Sequence, residues 1–164
     1  MYTLEKQRDL GELILSIYYF AATLIIGLSI ILGLRPVCIA GCSMSPTLET
    51  GSLCIAQDID AGDNLPEHGT IVIFYPDADV SNVLYAKRLI GLPGDVLSAE
   101  NDVLTVNGVY YDAIPGTGNW ITDVPDRYVF CMGDNRNNSY DSRYLGCIPI
   151  EDLVAKILFS LPFS

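Results

Sequence analysis

The sequence is poor in histidine, with His68 as the one imidazole among 164 residues. A serine activated by a Ser-His-Asp triad, or a cysteine paired with histidine, needs an imidazole beside the nucleophile. His68 stands between a glutamate and a glycine in residues 66–69, a segment that predicts a turn before a strand. We therefore assign His68 no catalytic role, and a histidine-dependent hydrolase is disfavoured.

Basic residues are also scarce, with 9 Lys and Arg against 20 Asp and Glu and a net charge of −11. Residues 1–35 are balanced, so the acidic excess belongs to the part of the chain after them. Nucleic-acid binding depends on basic patches that neutralise phosphates. No nucleic-acid partner is expected, and the acidity is interpreted as a source of solubility.

Cys-x-x-Cys spacing is absent from the sequence, and the number of cysteines is odd. These features predict neither a full disulfide framework nor a zinc site, and no metal or cofactor is expected. Cys42 stands beside Ser43, but a cysteine nucleophile would also need a histidine partner. All five cysteines are interpreted as small packed residues: Cys38, Cys42, Cys54, Cys131 and Cys147.

Charge is missing altogether from residues 13–34, a run of 22 mostly apolar residues. At about 1.5 Å per residue, such a helix covers the roughly 30 Å of a bilayer's hydrocarbon core. The apolar core of a cleavable secretory signal is shorter, about 7 to 15 residues. We predict a retained transmembrane helix over 13–34, with residues 1–12 as a tail. Lys6 and Arg8 favour a cytoplasmic tail only weakly, because Arg35 follows the span.

The remaining residues, 35–164, are enough for one domain, and their pattern predicts a mainly β fold. Runs of β-forming residues at 70–74 and 126–131 are bounded by Gly, Pro, Asn and Asp. Residues 103–106 and 109–111 flank Asn107-Gly108, the pair preferred in a two-residue type I′ hairpin. That hairpin is assigned to a small subdomain, and residues 113–120 to a loop.

A candidate nucleophile, Ser43, opens the hexapeptide Ser-Met-Ser-Pro-Thr-Leu at residues 43–48, nine positions after Leu34. Pro46 fixes its own φ and favours an extended Ser45, a geometry that can present a hydroxyl. A serine beside a proline is more often an ordinary turn residue. The segment therefore needs a partner to support a catalytic interpretation.

Lys87 is the candidate partner, within the predicted strand 83–90. Alternation in a strand places it on the same face as Val83, Tyr85 and Leu89, which are apolar or aromatic. Desolvation lowers a lysine pKa, and a base active near neutral pH needs a decrease of about 3 units. The alternative is a lysine that extends to water at a strand edge. A Ser-Lys dyad is a known variant of the catalytic triad.

A third segment, residues 132–146, contains two aspartates, two arginines, three asparagines and two serines in a turn-rich loop. It can be a solvated surface loop. The alternating Asp and Arg also suit a network of charge-assisted hydrogen bonds that holds neighbouring backbone, which Arg88 could join.

Residues 43–48, 85–95 and 133–143 together resemble the ordered signature boxes of type I signal peptidases. The resemblance implies that Ser43 is the nucleophile, Lys87 the general base and Ser139 the serine that orients the lysine. It also implies a supporting charged network of Arg88, Asp134, Asp141 and Arg143.

The fold implied by the resemblance is an all-β catalytic domain at 35–164, outside the cytoplasm, with a small β insertion near 96–128. The implied activity is removal of signal peptides after Ala-x-Ala-type sites through an acyl-enzyme. Implied partners are secretory preproteins, the lipid bilayer and the export machinery, and the implied location is the cell membrane, crossed once.

The resemblance also bears on the oxyanion hole and on the substrate pocket. Many relatives carry a hydroxyl residue for the oxyanion hole at the place that Gly41 occupies here. Glycine at this place, like the short length of the chain, resembles the Gram-positive branch of the family. A backbone N–H would then be the second donor, beside that of Ser43. Met44, Leu48 and Ala86 resemble substrate-pocket positions, although core packing explains their apolar character equally well.

Two alternatives belong to other classes. Self-cleaving repressors and related Ser-Lys processing peptidases share serine and lysine chemistry, but they lack the N-terminal span and the third box. A catalytically inactive, membrane-anchored β module that only binds secretory proteins would be expected to lack competent residues at the catalytic positions. Loss of processing in Ser43→Ala would separate an enzyme from such a binder.

Overall fold

A computed structural model of the chain describes residues 2–60, 64–76 and 83–161. The chain divides into two compact units, Met1–Arg35 and Pro36–Ser164. Parts of the predicted segments lie outside the described residues. These are Met1 in the predicted tail, and residues 61–63, 77–82 and 162–164 in the predicted ectodomain.

The first unit is a single long helix, α1 (Tyr2–Ile31). Its portion Gly11–Ile31 has a mean hydropathy of 2.2 and is long and apolar enough to cross a membrane. The helix differs at both ends from the predicted transmembrane helix over 13–34. The helix begins inside the predicted tail, and it ends three residues before Leu34. Gly33 adopts φ 61° and closes a turn by donating to the Ile30 carbonyl, so the helix cannot continue.

The second unit is mainly β, as the sequence pattern predicts. In chain order the strands are β1 (Leu34–Cys38), β2 (Leu53–Asp58), β3 (Ile71–Phe74), β4 (Tyr85–Gly91), β5 (Val96–Glu100), β6 (Val103–Val106), β7 (Val109–Ala113), β8 (Trp120–Asp123), β9 (Tyr128–Met132), β10 (Ile148–Pro149) and β11 (Leu153–Leu161). A short helix, α2 (Ser142–Leu145), lies between β9 and β10.

Seven of these strands form one sheet in the order β1-β2-β11-β3-β4-β9-β10. β11 is antiparallel to both of its neighbours, β2 and β3. β4, which carries Lys87, is antiparallel to β3 and to β9, with Lys87 opposite Val72. The lysine therefore lies in the interior of the sheet and not on an edge strand.

The other four strands form a smaller sheet in the order β7-β6-β5-β8. It occupies Val96–Asp123, within the predicted insertion. The β6–β7 hairpin turns at Asn107 and Gly108, whose φ values of 53° and 76° are positive as a type I′ turn requires. The hairpin prediction is thus confirmed in both position and turn residues.

The two sheets share one buried apolar cluster. Ile90 of β4 and Phe130 of β9 pack there with Leu97 of β5. Gly91 allows the close approach, because a Cβ at that position would lie 2.7 Å from Leu97 Cδ1 and 2.9 Å from Val124 Cγ2. The smaller sheet is therefore held against β4, which carries Lys87, and against its neighbour β9.

Candidate active site

Ser43 and Lys87 meet although 44 positions separate them in the sequence. Ser43 lies in the turns between β1 and β2, and Lys87 lies in the middle of β4. Lys87 Nζ donates a hydrogen bond of 2.6 Å to Ser43 Oγ. This is the spacing that proton transfer between a hydroxyl and a base requires.

The Lys87 side chain is buried, with 4% of its surface exposed, so it does not extend to water. Its Nζ lies 5.1 Å from the centroid of the Tyr85 ring, its neighbour on the same face of β4. Burial lowers the pKa of Lys87, and the Arg143 charge lowers it further, while the charges of Asp141 and Cys131 oppose this shift. The lowered pKa favours the neutral amine that a base must be.

Asp141 is the most buried charged group of the site, with no exposed surface. It accepts hydrogen bonds from Gly133 N at 2.9 Å and from Arg143 Nε at 2.8 Å, and it caps α2. Burial by itself raises the pKa of Asp141, but the hydrogen bonds from Arg143 and Gly133 outweigh this and lower the pKa overall. Asp141 is therefore an ionised, fully buried anchor for the third segment.

Arg88 and Asp134 form a second ion pair. Arg88 Nε and Nη2 donate to the two carboxylate oxygens of Asp134 at 2.7 and 2.5 Å, and Nη1 donates to the Gly69 carbonyl. Burial raises the pKa of Asp134, and the Arg88 hydrogen bonds more than offset it, so the pKa is lowered. The four predicted network residues thus form two separate bidentate pairs.

Ser139 lies beside this arrangement. Within the described residues, its buried Oγ has no hydrogen-bond partner of acceptable geometry, although the hydroxyl is close enough to Asp141 to favour the ionised carboxylate. The role of Ser139 in orienting Lys87 stays a prediction. Gly133 makes room for it, because a Cβ there would lie 2.6 Å from Ser139 Cβ and 2.5 Å from the Ser43 carbonyl oxygen.

Two asparagines that the sequence analysis did not single out contact the segment that contains Ser43. Asn135 N donates to the Ser43 carbonyl at 3.0 Å, and Asn135 Nδ2 donates to the Cys42 carbonyl at 3.1 Å. Asn138 Nδ2 contacts Cys42 Sγ at 3.1 Å. The only sequence signal was the density of asparagine in the third segment, and it could not show which backbone they bind.

A cleft of about 290 Å³ opens beside Ser43 and Lys87. Of the predicted pocket residues, Met44 and Ala86 line it, whereas Leu48 is buried in the cluster with Met44. Several lining residues were not predicted as pocket residues: Ile39, Ala40, Val83, Leu84, Tyr85 and Tyr140. The cleft is therefore largely apolar beside its two reactive groups.

Gly41 lies two residues before Ser43 with φ 92°, and its carbonyl accepts from Thr50 Oγ1 at 2.9 Å. Residues with a Cβ are strained at this φ, which accounts for glycine at this position. The local backbone conformation thus excludes an easy substitution by a hydroxyl residue.

His68 contacts Asp95, with 2.6 Å between His68 Nε2 and Asp95 Oδ2. Asp95 also accepts from Leu92 N and Asn107 Nδ2. Burial raises the pKa of Asp95, and these hydrogen bonds more than compensate, so the pKa is lowered. The cluster connects the turn before β3 to the smaller sheet, and His68 is not among the residues that line the cleft.

The prediction that all five cysteines are small packed residues is partly wrong. Cys54 and Cys131 are fully buried, but Cys38, at the end of β1, and Cys42, in the turn before Ser43, are exposed. All five are free thiols. Across the described ranges, no group of three His, Cys, Asp or Glu side chains is arranged to hold a metal ion.

Comparison with known proteins places the chain among signal peptidases. A family model described as "Signal peptidase, peptidase S26" matches residues 10–161. Signal peptidase IB of Staphylococcus aureus is 32% identical, over 96% of this chain and 93% of that protein. Signal peptidase I of Bacillus caldolyticus is 34% identical, over 74% of this chain and 75% of that protein.

The match to the probable signal peptidase I-2 of Synechocystis is 38% identical and covers 70% of this chain. This chain spans only 56% of the length of that relative. A crystal structure of signal peptidase I from Enterococcus faecalis has a TM-score of 0.47 and 28% identity, over 55% of this chain and 94% of that one.

Proposed function

Because the chain belongs to the signal peptidase family, peptidase S26, whose members are serine peptidases, we propose that it removes signal peptides from secreted preproteins. The observation that carries this proposal is the 2.6 Å hydrogen bond between Lys87 Nζ and Ser43 Oγ at the apolar cleft. The proposed catalyst is a Ser-Lys dyad.

In the proposed reaction, neutral Lys87 takes the proton from Ser43 Oγ, and the oxygen attacks the scissile carbonyl. The protonated lysine then gives its proton to the leaving nitrogen as the peptide C–N bond breaks. The leaving amine is the N-terminus of the mature protein, and the signal peptide remains as an ester on Ser43. Lys87 next takes a proton from a water molecule, whose oxygen attacks the ester carbonyl. The bond between Ser43 Oγ and the acyl carbon then breaks, and Lys87 returns the proton to Oγ, which releases the signal peptide as a carboxylic acid.

The surroundings of Lys87 favour the neutral base that this sequence of steps needs. The main charge that favours an ammonium at Lys87 is Asp141, but that carboxylate is already bound by Arg143 and Gly133 N. The attraction between the Asp141 carboxylate and an ammonium at Lys87 is partly cancelled by the positive charge of Arg143. Burial is the largest effect, so the pKa of Lys87 is lowered.

The tetrahedral intermediate needs hydrogen-bond donors fixed before the reaction. We propose the backbone N–H of Ser43 as one donor and a backbone N–H of the Gly41 turn as the other. The bonds from Asn135 to the Ser43 and Cys42 carbonyls hold this backbone in place. Asn135 is thus a positioning residue, since it contacts the nucleophile's backbone and not its reacting atoms.

Specificity for small residues is proposed to come from the cleft. Met44 and Ala86 are walls of a space of about 290 Å³, and Leu48 supports Met44 through the shared apolar cluster. A shallow apolar wall accepts alanine and excludes large or charged side chains, because burying an unpaired charge is costly. Sites of the Ala-x-Ala type fit such walls.

The chemistry is tested by cleavage of a preprotein with an Ala-x-Ala site, using purified full-length protein in detergent. We expect one cut after the second alanine, identified from the mass of the product. Replacing that alanine with arginine should lower kcat/KM at least about 100-fold, because the charge would be buried unpaired. A cut elsewhere, or equal rates on both substrates, would contradict the proposed specificity.

The proposed setting is the cell membrane, crossed once by the apolar part of α1, with residues 1–12 in the cytoplasm and the β unit outside. Preproteins, the bilayer and the export machinery are the proposed partners, and nucleic acid is not one. Protease added to intact cells should degrade the β unit. Protection of that unit in intact cells, with digestion after lysis, would refute this orientation.

A further inference from the structure

An aromatic side chain lies at the mouth of the cleft beside Ser43 and Lys87. Tyr140 lines this cleft but comes from the third segment, whereas the other lining residues belong to 39–44 and 83–87. The proposed catalytic steps give Tyr140 no role, although 56% of its surface is exposed. A large exposed ring beside a reactive serine is typical of a surface that binds a ligand.

The Tyr140 ring is held in place by its neighbours. It stacks on the Tyr144 ring of α2, with 5.5 Å between centroids and 14° between planes. Arg143 Cζ lies 5.9 Å from the Tyr144 centroid, and the Arg143 guanidinium is paired with the buried Asp141. The stack is therefore connected to an anchored ion pair. A ligand that contacts Tyr140 would not have to order this ring, which lowers the entropic cost of binding.

The walls of the cleft differ in depth. Met44 is 1% exposed and Lys87 is 4% exposed, so both lie at the floor of the cleft, whereas Tyr140 lies at its rim. Under the proposed function, two alanines of an extended substrate fit against Met44 and Ala86. Successive side chains of an extended chain point to opposite sides. The residue between the alanines and the first residue after the cut therefore point away from the floor, toward the rim.

The chemistry of the rim defines the side chain that it would accept. A tyrosine ring has an electron-rich face and a positive edge, so it prefers another ring in offset or edge-to-face contact. One face of the Tyr140 ring is covered by Tyr144, and the exposed remainder can contact one further ring. A serine side chain would gain little there, because it has almost no apolar surface to bury.

We propose that Tyr140 is a specificity-determining residue, whose ring contacts an aromatic side chain of the substrate on the face opposite to the two alanines. This inference rests on the proposed function and adds to its specificity a large residue beside the small ones. The aromatic side chain can belong to the residue between the alanines or to the first residue of the mature protein, because both have the same orientation.

The stack of Tyr140 on Tyr144 also has a purely structural interpretation. The two residues are four positions apart, a spacing at which side chains on a helix contact each other, and α2 has only four residues. If Tyr140 only stabilised α2, its loss would slow the cleavage of every substrate by the same factor. A contact with one substrate side chain would instead change the ratio of the rates for two substrates.

The test uses the full-length protein in detergent and three preproteins with Ala-x-Ala sites. One has serine at both positions, one has phenylalanine between the alanines, and one has phenylalanine as the first mature residue. We expect one phenylalanine substrate to have a KM about 3- to 10-fold lower than the serine substrate, which identifies the position. Tyr140→Ala should remove this difference, and Tyr140→Phe should keep it. Tyr110→Ala, at an exposed tyrosine of β7 that does not line the cleft, should also keep it.

Each ratio of KM values is measured within one protein preparation, so a partly misfolded variant does not imitate the expected result. Three outcomes would overturn the proposal. These are equal KM values for all three substrates in the wild type, a preference for phenylalanine that survives Tyr140→Ala, and an equal loss of that preference in Tyr110→Ala.

A binding measurement separates this inference from the proposed activity. Ser43→Ala cannot form the acyl-enzyme, so fluorescein-labelled peptides with the same three sequences can be titrated against it by fluorescence anisotropy. We expect one phenylalanine peptide to bind about 3- to 10-fold more tightly, and this difference should be lost when Tyr140→Ala is added. If the difference is found but the wild type cleaves no preprotein, the proposed function fails and the contact with Tyr140 stands. Equal dissociation constants would overturn the contact even where cleavage occurs.

Discussion

Ser43→Ala and Lys87→Met are each expected to lower kcat/KM for preprotein cleavage at least about 1,000-fold, and the double variant should be no worse than either single one. Lys87 Nζ and Ser43 Oγ share one hydrogen bond, so each group is inactive without the other. Methionine keeps the apolar length of lysine in the interior of the sheet. The measurement is kcat/KM for the four proteins on one preprotein.

The chain offers a matched control for each residue. Ser45 lies in the same hexapeptide and donates to Glu49 Oε2. Lys156 of β11 is opposite Val72, the same residue that Lys87 faces from β4. Ser45→Ala and Lys156→Met should keep most of the activity. Additive losses in the double variant, or equal losses in the controls, would show that Ser43 and Lys87 are not a catalytic pair.

The same pair predicts a pH profile. A base must be neutral, so kcat/KM should rise as the pH increases through the pKa of Lys87 and then level off. Burial lowers that pKa, so the midpoint should lie below the ordinary lysine value of 10.5. A rise centred at or above that value would mean that the lysine is not desolvated during the reaction.

Asp141→Asn is expected to lower the free energy of unfolding by about 3 to 5 kcal/mol, because it leaves the buried Arg143 charge without its partner. Asp141 has no exposed surface and accepts hydrogen bonds from Arg143 and Gly133 N. Water therefore cannot replace the carboxylate charge and the hydrogen bonds that the substitution removes. Urea unfolding of the detergent-purified chain measures the change. Glu151→Gln, in the exposed pair with Arg127, is the control and should change stability by less than about 1 kcal/mol.

Acid should narrow the difference in stability between the wild type and Asp141→Asn. The pKa of Asp141 is lowered in the folded state, so its contribution is present above the unfolded pKa of about 4 and is lost as the pH falls through the folded value. The wild type should therefore lose more stability in acid than Asp141→Asn does. Parallel loss in both proteins would place the acid-sensitive group elsewhere.

Local signals predicted much of the fold. Asn107-Gly108 predicted the hairpin and its turn, because a type I′ turn needs positive φ at both positions. Strand alternation predicted that Lys87 shares one face of its strand with Tyr85 and Leu89, since the period of two is set by the backbone. These features depend on a few neighbouring residues, so a short stretch of sequence is enough to predict them.

Other features depend on contacts between distant segments. The bonds from Asn135 to the Ser43 and Cys42 carbonyls join segments that are up to 93 positions apart in the sequence. The division of the charged residues into an Arg88–Asp134 pair and an Asp141–Arg143 pair follows from which faces the strands present. The exposure of Cys42 likewise follows from a turn that composition does not describe.

The position of β11 between β2 and β3 has a consequence for synthesis of the protein. Both neighbours are made long before Leu153–Leu161, and each has an unpaired edge until β11 is inserted. Strands β3 and β4 can pair early, but the sheet that buries Lys87 closes only with this late segment. A nascent chain that has not yet reached β11 would therefore have an open sheet beside the strands that carry and neighbour Lys87, and would be prone to edge-to-edge association.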